Sequence, residues 1–107
     1  AIMKQIDPNK LEENVAKASG LLKSMSHPSR LMVLCHLMNG ECEVSVLNQA
    51  IPLSQSALSQ HLASLRDAGL VKTRRESQVI HYRLNSKAVS DILQTLYCIY
   101  CNPKNEE

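Results

Sequence analysis

The chain has 107 residues, with 12 Lys and Arg against 10 Asp and Glu for a formal net charge of +2, and it contains no Trp or Phe. That length fits one domain of modest core, and a core without large aromatics must be built from Leu, Val, Ile and Met, as in small helical domains. No run is long enough to span a bilayer and no secretory pattern opens the chain, so a soluble cytoplasmic protein with no membrane partner is expected.

Ala1 to Pro8 shows no periodicity. Residues 1–8 are expected to be a disordered lead-in, residues 9–102 a single domain and residues 103–107 a polar tail. From about Asn9, the residues Leu11, Val15, Ala18, Leu22 and Met25 recur at alternating spacings of four and three, the seam of a helix that packs lengthwise on another. Gly20 weakens this helix in isolation, so it needs a partner in the chain or in a second subunit. Pro28 suits the first turn of a second helix, along which Leu31, Leu34, Cys35 and Met38 share a face until Asn39-Gly40 closes it. Glu41 to Val44 is a connector with room for a very short strand. Ser45 is expected to cap a short third helix through Ala50, with Val46, Leu47 and Ala50 turned inward.

Pro52 ends that helix, and only a tight turn precedes the next one. Leu58, Leu62 and Leu65 fall at i, i+4 and i+7 on one side, while Gln55, Ser56, Ser59, Gln60 and Ala63 fall on the other. Ser54 is a good N-cap, Leu53 can staple onto Leu58, and Gly69 supplies a left-handed stop. An exposed helix face usually carries Lys and Glu. Ser and Gln instead both donate and accept hydrogen bonds, and they are small enough to enter a major groove and read base edges. The bland alternative is an ordinary amphipathic helix with a Ser-rich outer face. Two short helices joined by a tight turn, the second with a polar outward face, form a helix-turn-helix.

After Gly69, Leu70 to Arg75 and Gln78 to Leu84 alternate and are rich in strand formers, with Ile80, Tyr82 and Leu84 on one side and Glu76-Ser77 at the expected hairpin tip. Arg74 and Arg75 would extend outward, where phosphate or a minor groove could meet them. Asn85 or Ser86 caps a last helix carrying Val89, Ile92, Leu93, Leu96, Tyr97, Ile99 and Tyr100 and ended by Asn102 and Pro103. That is more apolar surface than one small domain covers, so a subunit interface is expected. Charge is also uneven. Between Leu53 and Lys87 six basic residues face two acidic ones, a local +4 that leaves −2 elsewhere, so a polyanion would meet this segment.

The order of helix, helix, short helix, Ser54 helix, basic hairpin and helix resembles the winged helix-turn-helix repressors of the ArsR/SmtB family, from about Leu11 to Cys101. Leu21 to Leu31 looks like that family's entry into its second helix. Leu53 to Leu62, then Leu65-Arg66 and Gly69-Leu70-Val71, looks like its recognition helix and strand entry. The resemblance implies a mainly α fold with a small β-hairpin that dimerises through its first and last helices. It also implies binding to a palindromic double-stranded operator through Ser54, Gln55, Ser56, Ser59, Gln60, His61, Arg74 and Arg75. The thiol-type metal sensors of the family carry a Cys-x-Cys pair where this chain has Glu43 and Ser45, and the zinc-type ligands of the last helix are missing, so no metal or cofactor is expected. Cys35 and Cys101 in their contexts resemble the dithiol branch that includes BigR, SqrR and HlyU. That likeness implies a pair that reacts with reactive sulfur species or oxidants, forms a disulfide or polysulfide bridge and changes DNA affinity.

The residues leave alternatives open. Four cysteines in a cytosolic chain argue for free thiols, metal ligands or redox chemistry and against a disulfide framework. Cys35 alone reads as a buried structural thiol, and Cys42 as an incidental loop thiol. Cys98-Ile99-Tyr100-Cys101 is a C-x-x-C pair that, with Cys35 and Cys42, could make a four-thiolate zinc site and a metal-sensing repressor. No second C-x-x-C accompanies it, which ranks zinc below the dithiol. Cys98 could also compete with Cys35 for Cys101. A small thiol oxidoreductase is disfavoured because the pair sits at a helix end rather than a helix start. His27, His36, His61 and His81 read as structural, with His61 placed to touch DNA beside Gln60.

Overall fold

The computed structural model describes residues 7–101. In chain order the described residues form α1 (Pro8–Met25), α2 (Pro28–Leu37), β1 (Cys42–Glu43), α3 (Val44–Ala50), α4 (Gln55–Asp67), β2 (Val71–Glu76), β3 (Val79–Leu84) and α5 (Lys87–Tyr100). Apart from Asp7 and Pro8, the expected lead-in lies outside the described residues, as do Asn102, Pro103 and the tail. Asp7 accepts from the Asn9 amide at 2.9 Å and Pro8 takes the first turn, so α1 starts one residue earlier than its apolar seam suggests. Among the described residues no helix is long and apolar enough to cross a membrane.

Local chemistry sets most boundaries. The Nδ1 of His27 accepts from the Ser29 amide at 3.1 Å to cap α2. Ser54 and Ser86 cap α4 and α5 through hydroxyls that accept from Ala57 and Val89, both at 3.2 Å. Gly69, at φ 79°, ends α4 in a Schellman turn: its amide donates to Arg66 and the Leu70 amide to Leu65.

The core gathers Val33, Leu34 and Leu37 of α2, Leu47 of α3, Leu58, Leu62 and Leu65 of α4, and Val89 and Leu93 of α5. Against it lies a three-stranded antiparallel sheet of order β1-β3-β2, with Cys42 opposite Tyr82 and Val71 opposite Leu84. The expected fold class, helices with a small hairpin, is therefore observed, with the hairpin widened by one two-residue strand.

Four local expectations are corrected. In α2 the buried face is Val33, Leu34 and Leu37, while Cys35 and Met38 are exposed and Leu31 half-buried. The helix inserts a wide face into the core and leaves its i, i+4, i+7 stripe at the margin. Second, Glu43 rather than Ser45 takes the cap position of α3, because Glu43 still pairs with His81 and the helix starts directly after it. The Ser45 hydroxyl donates to the Glu43 carboxylate instead. Third, two turns of helix present only one residue squarely to the core, so Leu47 is buried while Val46 and Ala50 are exposed. Last, Glu76 pairs with Val79, so the tip is Ser77-Gln78, with Ser77 at φ 61°. Two-residue hairpins prefer such left-handed positions because they match the strand twist.

Candidate nucleic-acid interface and thiol groove

The α4 helix turns Leu58, Leu62 and Leu65 into the core and leaves Gln55, Ser56, Ser59, Gln60 and Ala63 exposed. Ser54 also serves the helix itself, since its hydroxyl caps α4 and lies 3.4 Å from that of Ser56. Beside this face a groove of about 430 Å³ separates α4 from the hairpin, lined by Ser59, Ala63, Arg66, Ile80 and Tyr82 among others. In the register Arg75 sits opposite Ile80, so both occupy the sheet face that looks toward α4. Arg75 is exposed and forms no ion pair among the described residues.

Arg74 is placed differently. It lies on the opposite sheet face, where its Nε donates to both oxygens of Glu41 at 2.8 and 2.9 Å and its Nη1 reaches Glu76 at 2.9 Å. The hydrogen bonds from Arg74 hold both carboxyls below the usual carboxylate range and push the guanidinium up. Glu41 also lies 3.8 Å from His81. Alternation along the strand could have separated Arg74 from Arg75. The Glu41 clamp, far off in the chain, left no local signal.

His61 is half-buried and turned toward the protein. Its Nδ1 accepts from Arg30 Nε at 3.1 Å, and its ring lies 4.4 Å from that of His27. Burial first, then the charges of His27 and Arg30, hold its imidazole below the ordinary histidine value.

Elsewhere Cys35 of α2 and Cys101, the C-cap of α5, wall one groove of about 570 Å³ whose other lining includes Leu31, Met38, Leu96, Tyr97 and Tyr100. Apolar walls withdraw water from the Cys35 thiol and push its pKa up, and the nearby Cys101 adds to the rise. Cys35, Cys42 and Cys101 are free thiols. Cys98, one turn before Cys101, borders a different depression with Asp91, Gln94 and Thr95. Cys42 is a strand residue, half-buried opposite Tyr82, not a loop thiol, and burial raises its pKa too. Among the described residues no group of three or more His, Cys, Asp or Glu side chains is placed to hold a metal ion.

A family model described as bacterial regulatory protein, arsR family, matches residues 27–73, the span from the start of α2 into β2. The transcriptional activator HlyU of Vibrio cholerae serotype O1 is 48% identical over 85% of this chain and 84% of its own length. The chain belongs to the ArsR family. A second member, the biofilm growth-associated repressor of Xylella fastidiosa (strain Temecula1), is 40% identical over 90% of this chain and 84% of its own. A solved structure of reduced HlyU from Vibrio cholerae matches with a TM-score of 0.83 at 47% identity, covering 87% of this chain and 98% of that one. This ArsR-family protein is accordingly a winged helix-turn-helix transcriptional regulator and not an enzyme.

Proposed function

We propose that this regulator is a homodimeric repressor that releases its operator when Cys35 and Cys101 become joined by a disulfide or polysulfide bridge. The observation that carries this reading is the shared groove: two thiols far apart in sequence, on different helices, wall the same cavity. One thiolate attacks a polysulfide and expels a shorter hydrosulfide anion, leaving a persulfide or longer chain on that cysteine. The second thiol attacks this chain, the bridge closes, and the remaining sulfur leaves as sulfide; with a hydroperoxide the same two thiols give a disulfide, an alcohol and water.

Such a bridge would fix the end of α5 against α2. In a dimer built on the first and last helices it would change the spacing of the two α4 helices, which must meet half-sites about one DNA turn apart. Dimerisation is supported by the apolar surface left open on those helices: Val15 and Leu22 of α1 are 56% and 52% exposed, and Tyr97 and Tyr100 of α5 are 61% and 79% exposed. For the operator face the support is the row Gln55, Ser56, Ser59 and Gln60, open to solvent, with Ser59 on the groove that runs between α4 and the hairpin. A regulator acting on operator DNA works in the cytoplasm. Among the relatives one is named a repressor and another an activator, and one solved relative is described as reduced.

The test is mass spectrometry after polysulfide or peroxide treatment, alongside DNA release. Mass added between Cys35 and Cys101 should accompany release, and Cys35→Ser or Cys101→Ser protein should bind DNA and ignore the treatment. If Cys35→Ser protein still lets go of DNA, the sensing assignment is wrong.

A further inference from the structure

His61 stands apart from the polar residues next to it. It belongs to α4 and follows Gln60 directly, yet its ring is half-buried and committed to side chains from elsewhere in the chain. Arg30 of α2 donates to its Nδ1, and the same guanidinium reaches the end of α1, where Nη1 donates to the Ser24 carbonyl at 3.2 Å. His27, whose Nδ1 caps α2, lies against the His61 ring with the planes tilted by 45°. Through this cluster the middle of α4 is tied to the α1–α2 junction.

The tie works for only one protonation state. An imidazole accepts at Nδ1 only when that nitrogen carries no proton; once protonated it presents a donor to the Arg30 donor. The added charge would then face Arg30 and His27. The charged and titratable groups acting on His61 are His27, just ahead of α2, and Arg30 within it, while α1 contributes only the Ser24 carbonyl through Arg30. Neither is a carboxylate, so nothing in the cluster offsets the new charge.

We propose that His61 is a positioning residue: its neutral ring, held by Arg30 and His27, seats α4 so that the Gln55 to Gln60 face meets DNA, and its protonation unseats the helix and weakens DNA binding. This inference rests on the DNA-binding reading. Its sign is diagnostic, because adding positive charge to a protein ordinarily strengthens binding to a polyanion. Here acid should weaken it.

The experiment compares the full chain with His61→Gln, which keeps an acceptor for Arg30 but cannot titrate, and with His61→Asn should the first variant fail to fold by circular dichroism. The probe is the tightest duplex recovered at about pH 8 from a randomised pool of roughly 30 base pairs. Native protein should lose roughly threefold in affinity between about pH 7.5 and 5.5, because the proton that the free protein takes up on His61 has to leave on binding. His61→Gln, whatever its affinity at the higher pH, should change little on acidification. NMR of the His61 ring should show titration below 6.5 in the free protein and lower still on the duplex. Equal acid dependence in both proteins, tighter native binding in acid, or a ring titrating at or above 6.5 overturns the inference and leaves the DNA reading intact. A pool that yields no bound duplex sinks both.

Discussion

Helices α4 and α5 start alike and end differently. Each is capped by a serine hydroxyl and rooted in the same core, α4 by Leu58, Leu62 and Leu65, α5 by Val89 and Leu93. What they leave outside is opposite in kind. The open face of α4 is Gln and Ser, groups that lose little by staying in water. The open second half of α5 is Tyr97, Ile99 and Tyr100, which water does not favour. The comparison teaches that a buried stripe fixes a helix, while the chemistry of the remaining face states what must come to it: hydrogen-bonding edges for one, apolar surface for the other.

The largest way to break that comparison is to remove its common root. Leu62 is 2% exposed beneath the polar face, and Leu62→Ala should cost about 2–5 kcal/mol in urea unfolding. A smaller change separates the ends. Tyr97→Asp should leave the fold intact and weaken dimerisation by about 2 kcal/mol, read by sedimentation equilibrium, if Tyr97 is an interface anchor. At the other end Gln60→Ala should leave dimerisation and urea unfolding unchanged and cost about 1–3 kcal/mol in affinity for a selected duplex. Arg75→Ala should weaken binding to every duplex alike and lower the salt slope by about 1, an effect that Arg74→Ala shares only in part because Glu41 and Glu76 already neutralise Arg74.

The smallest effect concerns the thiol groove. The apolar walls of the groove desolvate part of the exposed Cys35 side chain and favour its neutral thiol, so less of it is thiolate at neutral pH than in a free thiol. Its iodoacetamide alkylation should be slower than that of a simple thiol near pH 7 and still rising beyond pH 9.0. Replacing Cys101 by Ser removes one cause of the raised pKa and should speed the reaction. The His61 imidazole gives a stability counterpart. Its folded pKa is depressed, so the stability it contributes is present above the ordinary value of 6.5 and lost as pH falls through the lowered one. Urea unfolding of native protein should therefore weaken in acid more than that of His61→Gln.

Much of this was legible residue by residue. Ser54, the Leu58, Leu62 and Leu65 stripe, Gly69 and Ser86 act within a turn of themselves, so spacing and capping chemistry predict their roles without a fold. The exposure of Gln55, Ser56, Ser59 and Gln60 follows from the same periodicity. The places where local reading slipped are those where a distant partner intervened. The pairing of Glu43 with His81 displaced the cap of α3 from Ser45, and the pairing of Glu76 with Val79 moved the hairpin tip to Ser77-Gln78.

By itself, the sequence determined the helices, the serine caps of α4 and α5, the basic hairpin and the polar face of α4, because each depends on neighbours within about one turn of helix or one strand pair. Tertiary structure decided the rest: that Cys35 and Cys101 wall one groove, that Glu41 holds Arg74 while Arg75 stays open, and that His61 faces Arg30 and His27. Those contacts join residues some thirty or more positions apart. No periodicity encodes them, since they follow from how elements pack and not from how any one of them forms.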